Sequence, residues 1–468
     1  MRAVSDEYKR IVANPTHHFE YKIQIGHPYP KSYDETFIEG WEDYYYKAVL
    51  TEYSNAEIVS VRVYGSLYTE NVPTIGRANS QQIDVLLQSD FRSFTDIPRN
   101  ARLVLWVAAV EEGYDLSGLS GETYKYEHYR AMSEWIQKGC FYVDTREVDD
   151  RAGTIRLHGY DLMAALDSVD LTEMDAEPQN LDFWGVYSTC SEFADPIITM
   201  FGGKDTRTGE LDHTFLLQAP PGRSSARQIM QWIAAMHGAN WMITDLGKWY
   251  LCPLASAVEP TALGMVDQVS TVEAYLSIGG VLIGVQDAFG TARAHTDYGE
   301  DAEDFYATEP LAPITRVKLN VDSDIFAVYG DETGYTLEAD CYFAEQSEWV
   351  AQTVLSKMQG YVHQPARAEN VIIDPALELG DVVTIKDKTF QVATWDIDYG
   401  RMITATLESP GYQENEFPKS VEDTQKALRE SKDYADREIA KLPKVELVAV
   451  LPEDHASQNI LFVIPDEG

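Results

Sequence analysis

The chain has 468 residues, 44% hydrophobic, 11% aromatic and 24% charged, a composition that excludes global disorder and supplies core for about three domains. Its 37 Lys and Arg stand against 76 Asp and Glu, a formal charge of −39; phosphate binding relies on cationic side chains that release counterions, so specific nucleic-acid binding is excluded as the main function. The four cysteines, Cys140, Cys190, Cys252 and Cys341, lie far apart without a CxxC spacing and point to buried free thiols rather than a zinc site or a disulfide framework.

The N-terminal stretch lacks the apolar core of a signal peptide, and apolar runs such as 103–110 are too short to span a bilayer. The expectation is a chain folded in a cytoplasm, without stable membrane insertion. Residues 1–170 read mostly as strand: segments 18–25, 45–50, 56–64, 82–87 and 102–110 alternate or run apolar between turns, as in a barrel or sandwich. The polar, Gly-containing stretch 113–129, GYDLSGLSGETYKYEHY, reads as a projecting loop.

From about residue 171 the periodicity changes. Ser224 and Ser225 are candidate N-caps of a helix in which Ile229, Trp232, Ile233 and Met236 recur at helical spacing, and Gly238 sits where a helix ends. Segments 240–244 and 248–252 then form a hairpin around Asp245-Leu246-Gly247, completing a small α/β module whose Trp232, Trp241 and Trp249 fit a core better than a sugar platform. Strands resume over 274–286, an acidic stretch covers 297–309, and a strand covers 314–320. A second helix starts at Ser347, carries the apolar stripe Val350, Ala351, Val354, Leu355 and Met358, ends at Gly360 and is blocked by Pro365.

Residues 377–409, LELGDVVTIKDKTFQVATWDIDYGRMITATLES, predict three short strands with turns at Gly380-Asp381, Lys386-Asp387-Lys388 and Tyr399-Gly400-Arg401. Ile403, Ala405 and Leu407 share one face and Thr404, Thr406 and Glu408 the other; Val383 with Ile385 and Phe390 with Val392 repeat the pattern, giving an antiparallel meander. After Gly411, Val421, Leu428, Ala435 and Leu442 recur every seventh residue and form a candidate trimer seam. The companion positions Thr424, Ser431 and Glu438 are polar, so a helical linker and a weak trimeric coiled coil both stay open. Pro443 stops this helix, and 445–451 with 460–464 predict a terminal β-hairpin too small to stand alone in water.

The run L-E-L-G-D-x-V, short hairpin, strand, aromatic-Gly, and strand of small and apolar residues resembles the last barrel of the tail-associated hub proteins, central baseplate components of long-tailed bacteriophages. Residues 134–167, EWIQKGCFYVDTREVDDRAGTIRLHGYDLMAALD, are similar to the close of the first barrel in that family: a strand over 140–144, an acidic turn over 149–153, a strand over 154–158, then "YD" opening a short helix. Ile97-Pro98-Arg99-Asn100-Ala101 before the strand at 103–110 also fits, and the resemblance spans about residues 20–410. It implies a mainly β fold with α/β insertions: a first β-barrel hub domain at 1–170, an α/β module at 171–260, and a second β-barrel domain at 261–411 containing a helix at about 347–360. A helical linker or weak trimeric coiled coil would follow at 412–443 and a small C-terminal β segment at 444–468.

In function the resemblance implies a structural virion protein, a homotrimeric hub at the distal end of a phage tail that joins a six-fold tube to three-fold tip components and lines the DNA passage. The implied partners are a distal tail protein or tail tube ring, a tape measure protein, and distal fibre, spike or receptor-binding proteins; the implied location is the virion, assembled in the bacterial host cytoplasm. Two rivals come from other classes. A receptor- or glycan-binding tail protein is compatible with the aromatic content and the loop at 113–129, and a cell-wall-degrading tail enzyme is a known companion of tails.

Motifs for catalysis are not in the sequence: there is no HExxH, GxSxG, P-loop, or GxGxxG followed by an acidic residue on a second strand. No catalytic residue, cofactor or metal is therefore expected. Asp396, Asp398 and Gly400 make a D-x-D-x-G fragment that lacks the downstream Glu of a calcium loop, and His17 and His18, adjacent on a strand, point to opposite faces.

Overall fold

The computed structural model describes residues 4–14, 16–28, 49–88, 97–111, 132–149, 151–168, 188–199, 207–208, 211, 215–217, 225–254, 275–278, 281–284, 295–298, 304–321, 325–346, 348–400, 402–411, 444–447 and 460–463. They fall in two compact units, Met1–Tyr412 and Gln413–Gly468. The first opens with a helix that the strand-rich reading missed, α1 (Asp6–Val12). Its signals are local: Ser5 caps it by accepting the Tyr8 N–H, Asp6 and Glu7 sit in its first turn, and Tyr8 and Ile11 bury its apolar side.

Seven strands follow: β1 (His17–Pro28), β2 (Val49–Ser54), β3 (Ile58–Ser66), β4 (Gln82–Gln88), β5 (Ala101–Glu111), β6 (Ile136–Asp149) and β7 (Thr154–Tyr160). They overlap the period-two segments, and the "YD" signal is followed by a single 3₁₀ stretch, Leu162–Ser168. β5 is buried on both faces over most of its length, and α1 packs against it.

The module holds α2 (Cys190–Thr199), α3 (Ala226–Met236) and the antiparallel hairpin β8 (Ala239–Ile243) and β9 (Trp249–Pro253). Ser225 and Gln228 form a capping box at the start of α3, and Gly238, at φ 66°, ends it in the left-handed region. Trp241 and Trp249 meet edge to face at 6.2 Å in the core, as expected. Trp232 instead lies partly buried against Tyr342 and Phe343, each 5.4 Å away, and so links the module to the next segment.

That segment contributes β10 (Asp304–Ala307), β11 (Ile314–Asn320), β12 (Phe326–Gly330), β13 (Tyr335–Asp340), α4 (Glu348–Met358), β14 (Ala366–Ile372), β15 (Val382–Ile385), β16 (Lys388–Gln391), β17 (Thr394–Tyr399) and β18 (Ile403–Ser409). The apolar stripe of α4 is buried against β11 and β12, which with β13 form a separate three-stranded sheet. The stretch 377–409 yields four strands, not three. Lys386 and Asp387 both take positive φ, 47° and 62°, the two-residue turn that a right-twisted hairpin needs, so β15 and β16 close on each other. The chain then changes sheet: Val392 N–H donates to Asp381 O beside β15, whereas Ala393 N–H donates to Glu408 O of β18.

One sheet of eleven strands runs through the unit in the order β10-β14-β18-β17-β3-β4-β7-β6-β5-β1-β2. Its N-terminal and C-terminal strand sets meet at an antiparallel ladder, with Ile397 opposite Val63 and Asp398 opposite Arg62. The segments 1–170 and 261–411 thus share a sheet. An edge strand leaves a row of unpaired N–H and C=O groups, and pairing β17 with β3 removes one such edge from each set.

The sheet bends back on itself. Six inter-strand spacings of about 4.8 Å would hold β1 about 29 Å from β17 if it were flat, yet Tyr21 O–H donates to Gly400 O at 2.5 Å and the Tyr21 and Tyr399 rings lie 6.0 Å apart. At the other end Phe305 of β10 meets Phe390 of β16 at 6.5 Å. The concave side is packed with Val61, Val63, Ile83, Val85, Leu157 and Ile397.

In the second unit, Lys444–Leu447 and Ile460–Val463 pair in parallel, Val445 opposite Leu461 and Leu447 opposite Val463. This corrects the expected terminal hairpin, whose strands would run antiparallel. The sequence between them, 448–459, meets the length of about a dozen residues that a parallel return requires. The candidate seam Val421, Leu428, Ala435 and Leu442 lies outside the described residues. No helix among the described residues is long and apolar enough to cross a membrane.

Candidate interaction surface

Alternation along each strand of the central sheet gives it a second, polar side. The registers align Thr404, Asp398, Arg62, Asp84 and His158 in one row across β18, β17, β3, β4 and β7. The adjoining row is Thr406, Asp396, Tyr64, Gln82 and Tyr160. All are exposed or half-buried. Arg62 grips both oxygens of Asp396, His158 Nδ1 lies 3.0 Å from Asp84 Oδ1, and the His158 and Tyr160 rings meet edge to face at 4.8 Å. The guanidinium thus occupies one carboxylate of the D-x-D-x-G fragment, and among the described residues no cluster of three or more His, Cys, Asp or Glu is placed to hold a metal.

A cleft of about 450 Å³ opens where the start of β1, the turn from β2 to β3 and the turn from β17 to β18 converge. His18, Phe19, Tyr21, Asn55, Ile58, Val59, Tyr399 and Gly400 line it. Asn55 Oδ1 accepts the Tyr21 N–H, and burial pushes the Tyr21 hydroxyl well above the usual phenol range. Of its lining residues Val59 is 56% exposed. Such a cleft suits an apolar side chain presented by another protein.

Polar groups buried beneath this surface fix the module against the sheet. Lys138 of β6 and Asp245 of the β8–β9 turn are 2% and 4% exposed and form an ion pair; the same ammonium donates to Leu377 O at 2.7 Å and sits over the Trp395 ring. Gln137 Nε2 donates to Asp245 O at 2.8 Å. Gly247, at φ 75° with Cys140 Cβ only 3.1 Å from where its own Cβ would stand, lets this turn seat so closely. Asn240 bridges two backbone groups, donating to Thr74 O at 2.7 Å and accepting from Arg77 N at 2.9 Å.

Asp161, from the "YD" pair, accepts the Gln81 and Met163 N–H groups at 3.0 Å each; burial pushes its carboxyl up to about 7, against those bonds and the nearby Arg227. His363 Nε2–H donates to Pro410 O at 2.6 Å, and burial pulls its imidazole below the usual histidine range. Burial also pushes the Cys341 thiol up to about 12 and raises Cys140, which keeps both protonated at neutral pH.

None of these supports was legible as a site. Lys138 and Asp245 lie 107 residues apart, and nothing local to either marks the other. Only the "YD" pair carried a readable signal. His17, by contrast, accepts its expected ordinary place, with Nδ1 2.5 Å from Asn14 O.

No protein-family model matches the chain, and no curated protein matches it. Among solved structures it is similar to a prophage MuSo2 43 kDa tail protein from Shewanella oneidensis, at 11% identity and TM-score 0.42, over 83% of this chain and 97% of that one. It is also similar to a tail protein from Neisseria meningitidis MC58, at 10% identity and TM-score 0.42, over 83% and 95%. A third is a prophage tail protein from Listeria monocytogenes EGD-e, at 10% identity and TM-score 0.39, over 88% and 99%.

Proposed function

We propose that the chain is a structural component of a phage tail tip, a hub of three copies that joins a six-fold tail tube to three-fold distal parts. The observation that supports this is the ladder between β3 and β17, which sets an N-terminal and a C-terminal group of strands side by side in one sheet. Three such chains would present six comparable groups of strands, the number that a six-fold ring offers. Copies join by continuing the sheet at its edges and by apolar contacts, and the ring encloses a passage.

The formal charge of −39 fits a wall from which DNA slides freely, since an acidic surface repels phosphate. Neighbours in this reading are a distal tail protein or tube ring and the tape measure protein on one side, and fibre, spike or receptor-binding proteins on the other. The role is mechanical rather than catalytic. Removal of everything after Gly411 should leave a folded oligomer that holds distal components less firmly.

The test is electron microscopy of the purified full chain, alone and mixed with the tube protein of the same particle. Three-fold rings with an open centre are expected. Single copies, or rings with a solid centre, in both samples would overturn the proposal.

A further inference from the structure

The three-stranded sheet of β12, β11 and β13 packs against α4, and β12 is one of its edges. Val321 N–H donates to Ile325 O at 2.9 Å, and β11 and β12 pair antiparallel with Lys318 opposite Val328. Antiparallel pairs alternate between exchanging both backbone bonds and exchanging none. Ala327 and Tyr329 therefore bond to β11, while the N–H and C=O groups of Phe326 and Val328 point away from it. Among the described residues no strand takes these groups up.

An edge of this kind is a template for another chain, and proteins guard it with charge or proline. The edge strands β2 and β10 carry Glu52 and Asp304, and β13, the opposite edge of the same small sheet, carries Glu338 and Asp340. β12, Phe-Ala-Val-Tyr-Gly, carries neither a charge nor a proline. It shows apolar side chains beside the unpaired backbone instead: Phe326 is 54% exposed and Ile325, just before it, 49%.

We propose that β12 is the acceptor for an extended segment of a different polypeptide, which adds to this sheet as a fourth strand. The outward backbone groups of Phe326 and Val328 set the pairing, and their side chains favour β-branched or aromatic residues at the positions that face them. The cations beside the edge, Lys318 with Nζ 5.2 Å from the Phe326 ring and Arg316 opposite Gly330, favour a segment that carries carboxylates rather than Lys or Arg. A second copy of the chain fits less well. Two β12 edges paired with each other make a two-fold contact that joins two chains and no third, and β2, β10 and β13 are guarded by charge. This preference for a different polypeptide rests on the three-copy reading; strand addition at β12 does not.

The test is hydrogen exchange resolved to single amides, on the full chain alone and in assembled tails of the particle that carries it. The Phe326 and Val328 amides should exchange freely in the chain alone and at least about a hundredfold more slowly in tails, whereas Ala327, bonded to β11, stays slow in both. Equal exchange in the two samples would overturn the proposal, as would protection in the chain alone that grows with its concentration, the sign of a second copy. Phe326→Lys with Val328→Lys should leave the melting of the chain unchanged and remove one other polypeptide from purified tails, and Thr336→Lys on β13 should remove none. Tails of full composition from the double variant would count against the proposal equally. Rings seen by microscopy without this protection would leave the hub reading standing and remove only this inference; protection without rings would do the reverse.

Discussion

The central sheet is joined to its neighbours in two different ways. Where β17 meets β3, backbone groups pair along a ladder, the buried side is packed with Val61, Val63, Trp395, Ile397 and Tyr399, and side chains on the open side add an exposed ion pair. Where the α/β module meets the sheet, the ladder among the described residues is short: one isolated bridge, Ala78 with Trp241, is supplemented by the buried side chains of Lys138, Asp245, Asn240 and Gln81 and the half-buried Arg227 reaching backbone or each other. A ladder depends on backbone that every residue carries. A side-chain joint depends on particular residues, so single substitutions should damage the module far more than the ladder.

The largest effect is expected for Lys138→Met. It leaves the Asp245 carboxylate buried without its cation, a loss of about 3–5 kcal/mol, whereas the double variant Lys138→Met with Asp245→Leu should recover most of it because neither charge remains. Urea unfolding followed by the fluorescence of buried Trp241 and Trp249 measures both. A double variant as unstable as the single one would show that the pair acts by attraction and not by mutual neutralisation.

Asn240→Ala is expected to cost about 2–3 kcal/mol, since it orphans the Thr74 carbonyl and the Arg77 N–H together. Hydrogen exchange should then rise at Arg77 and Trp241, whose N–H donates to Arg77 O, before the ladder of β3 and β17 opens. Exchange rising equally in both places would mean that the two joints open as one.

The same contrast separates what was legible in the sequence from what was not. Strand period two, the Ser225 cap and Gly238 are local signals, and they set β3, β4, β18 and α3 within a few residues of where they stand. The shared sheet was not legible, because β3 and β17 carry the same alternation whether they pair with each other or with separate neighbours. The change of sheet at Val392-Ala393 likewise has no local mark. The terminal hairpin failed for a related reason: two apolar runs separated by a dozen residues do not encode direction. Of the interaction surface, the alternation predicted which β18 residues face outward, while Arg62 against Asp396 and Lys138 against Asp245 join residues far apart in the chain and became visible only with the topology.

Two buried titrating groups give a smaller, signed effect. Asp161 is raised from 3.8 to about 7 in the folded chain, so between those values the folded state holds more protons than the unfolded one and its contribution to stability grows as pH falls. His363 is lowered from 6.5; below that value the unfolded state holds more protons, and stability is lost as pH falls. The two oppose each other in mildly acidic solution. Unfolding midpoints measured from pH 8 to pH 5 should therefore fall more steeply with acid in Asp161→Asn than in the parent chain, and less steeply in His363→Gln. Parallel profiles in all three would remove both groups from the account.

The smallest effect is expected at the ladder itself. Arg62 holds Asp396 across β3 and β17, but its side chain is 64% exposed, and an ion pair open to solvent contributes little because water and salt screen it. Arg62→Ala should cost below about 1 kcal/mol, a loss that shrinks further in molar salt. Opposite Arg62 the backbone of Asp398 keeps its pairing whatever side chain stands there, and Val61 and Val63 stay buried beneath. A loss as large as that of Lys138→Met would mean that the strand sets are held together by side chains after all, and the distinction between the two joints would vanish.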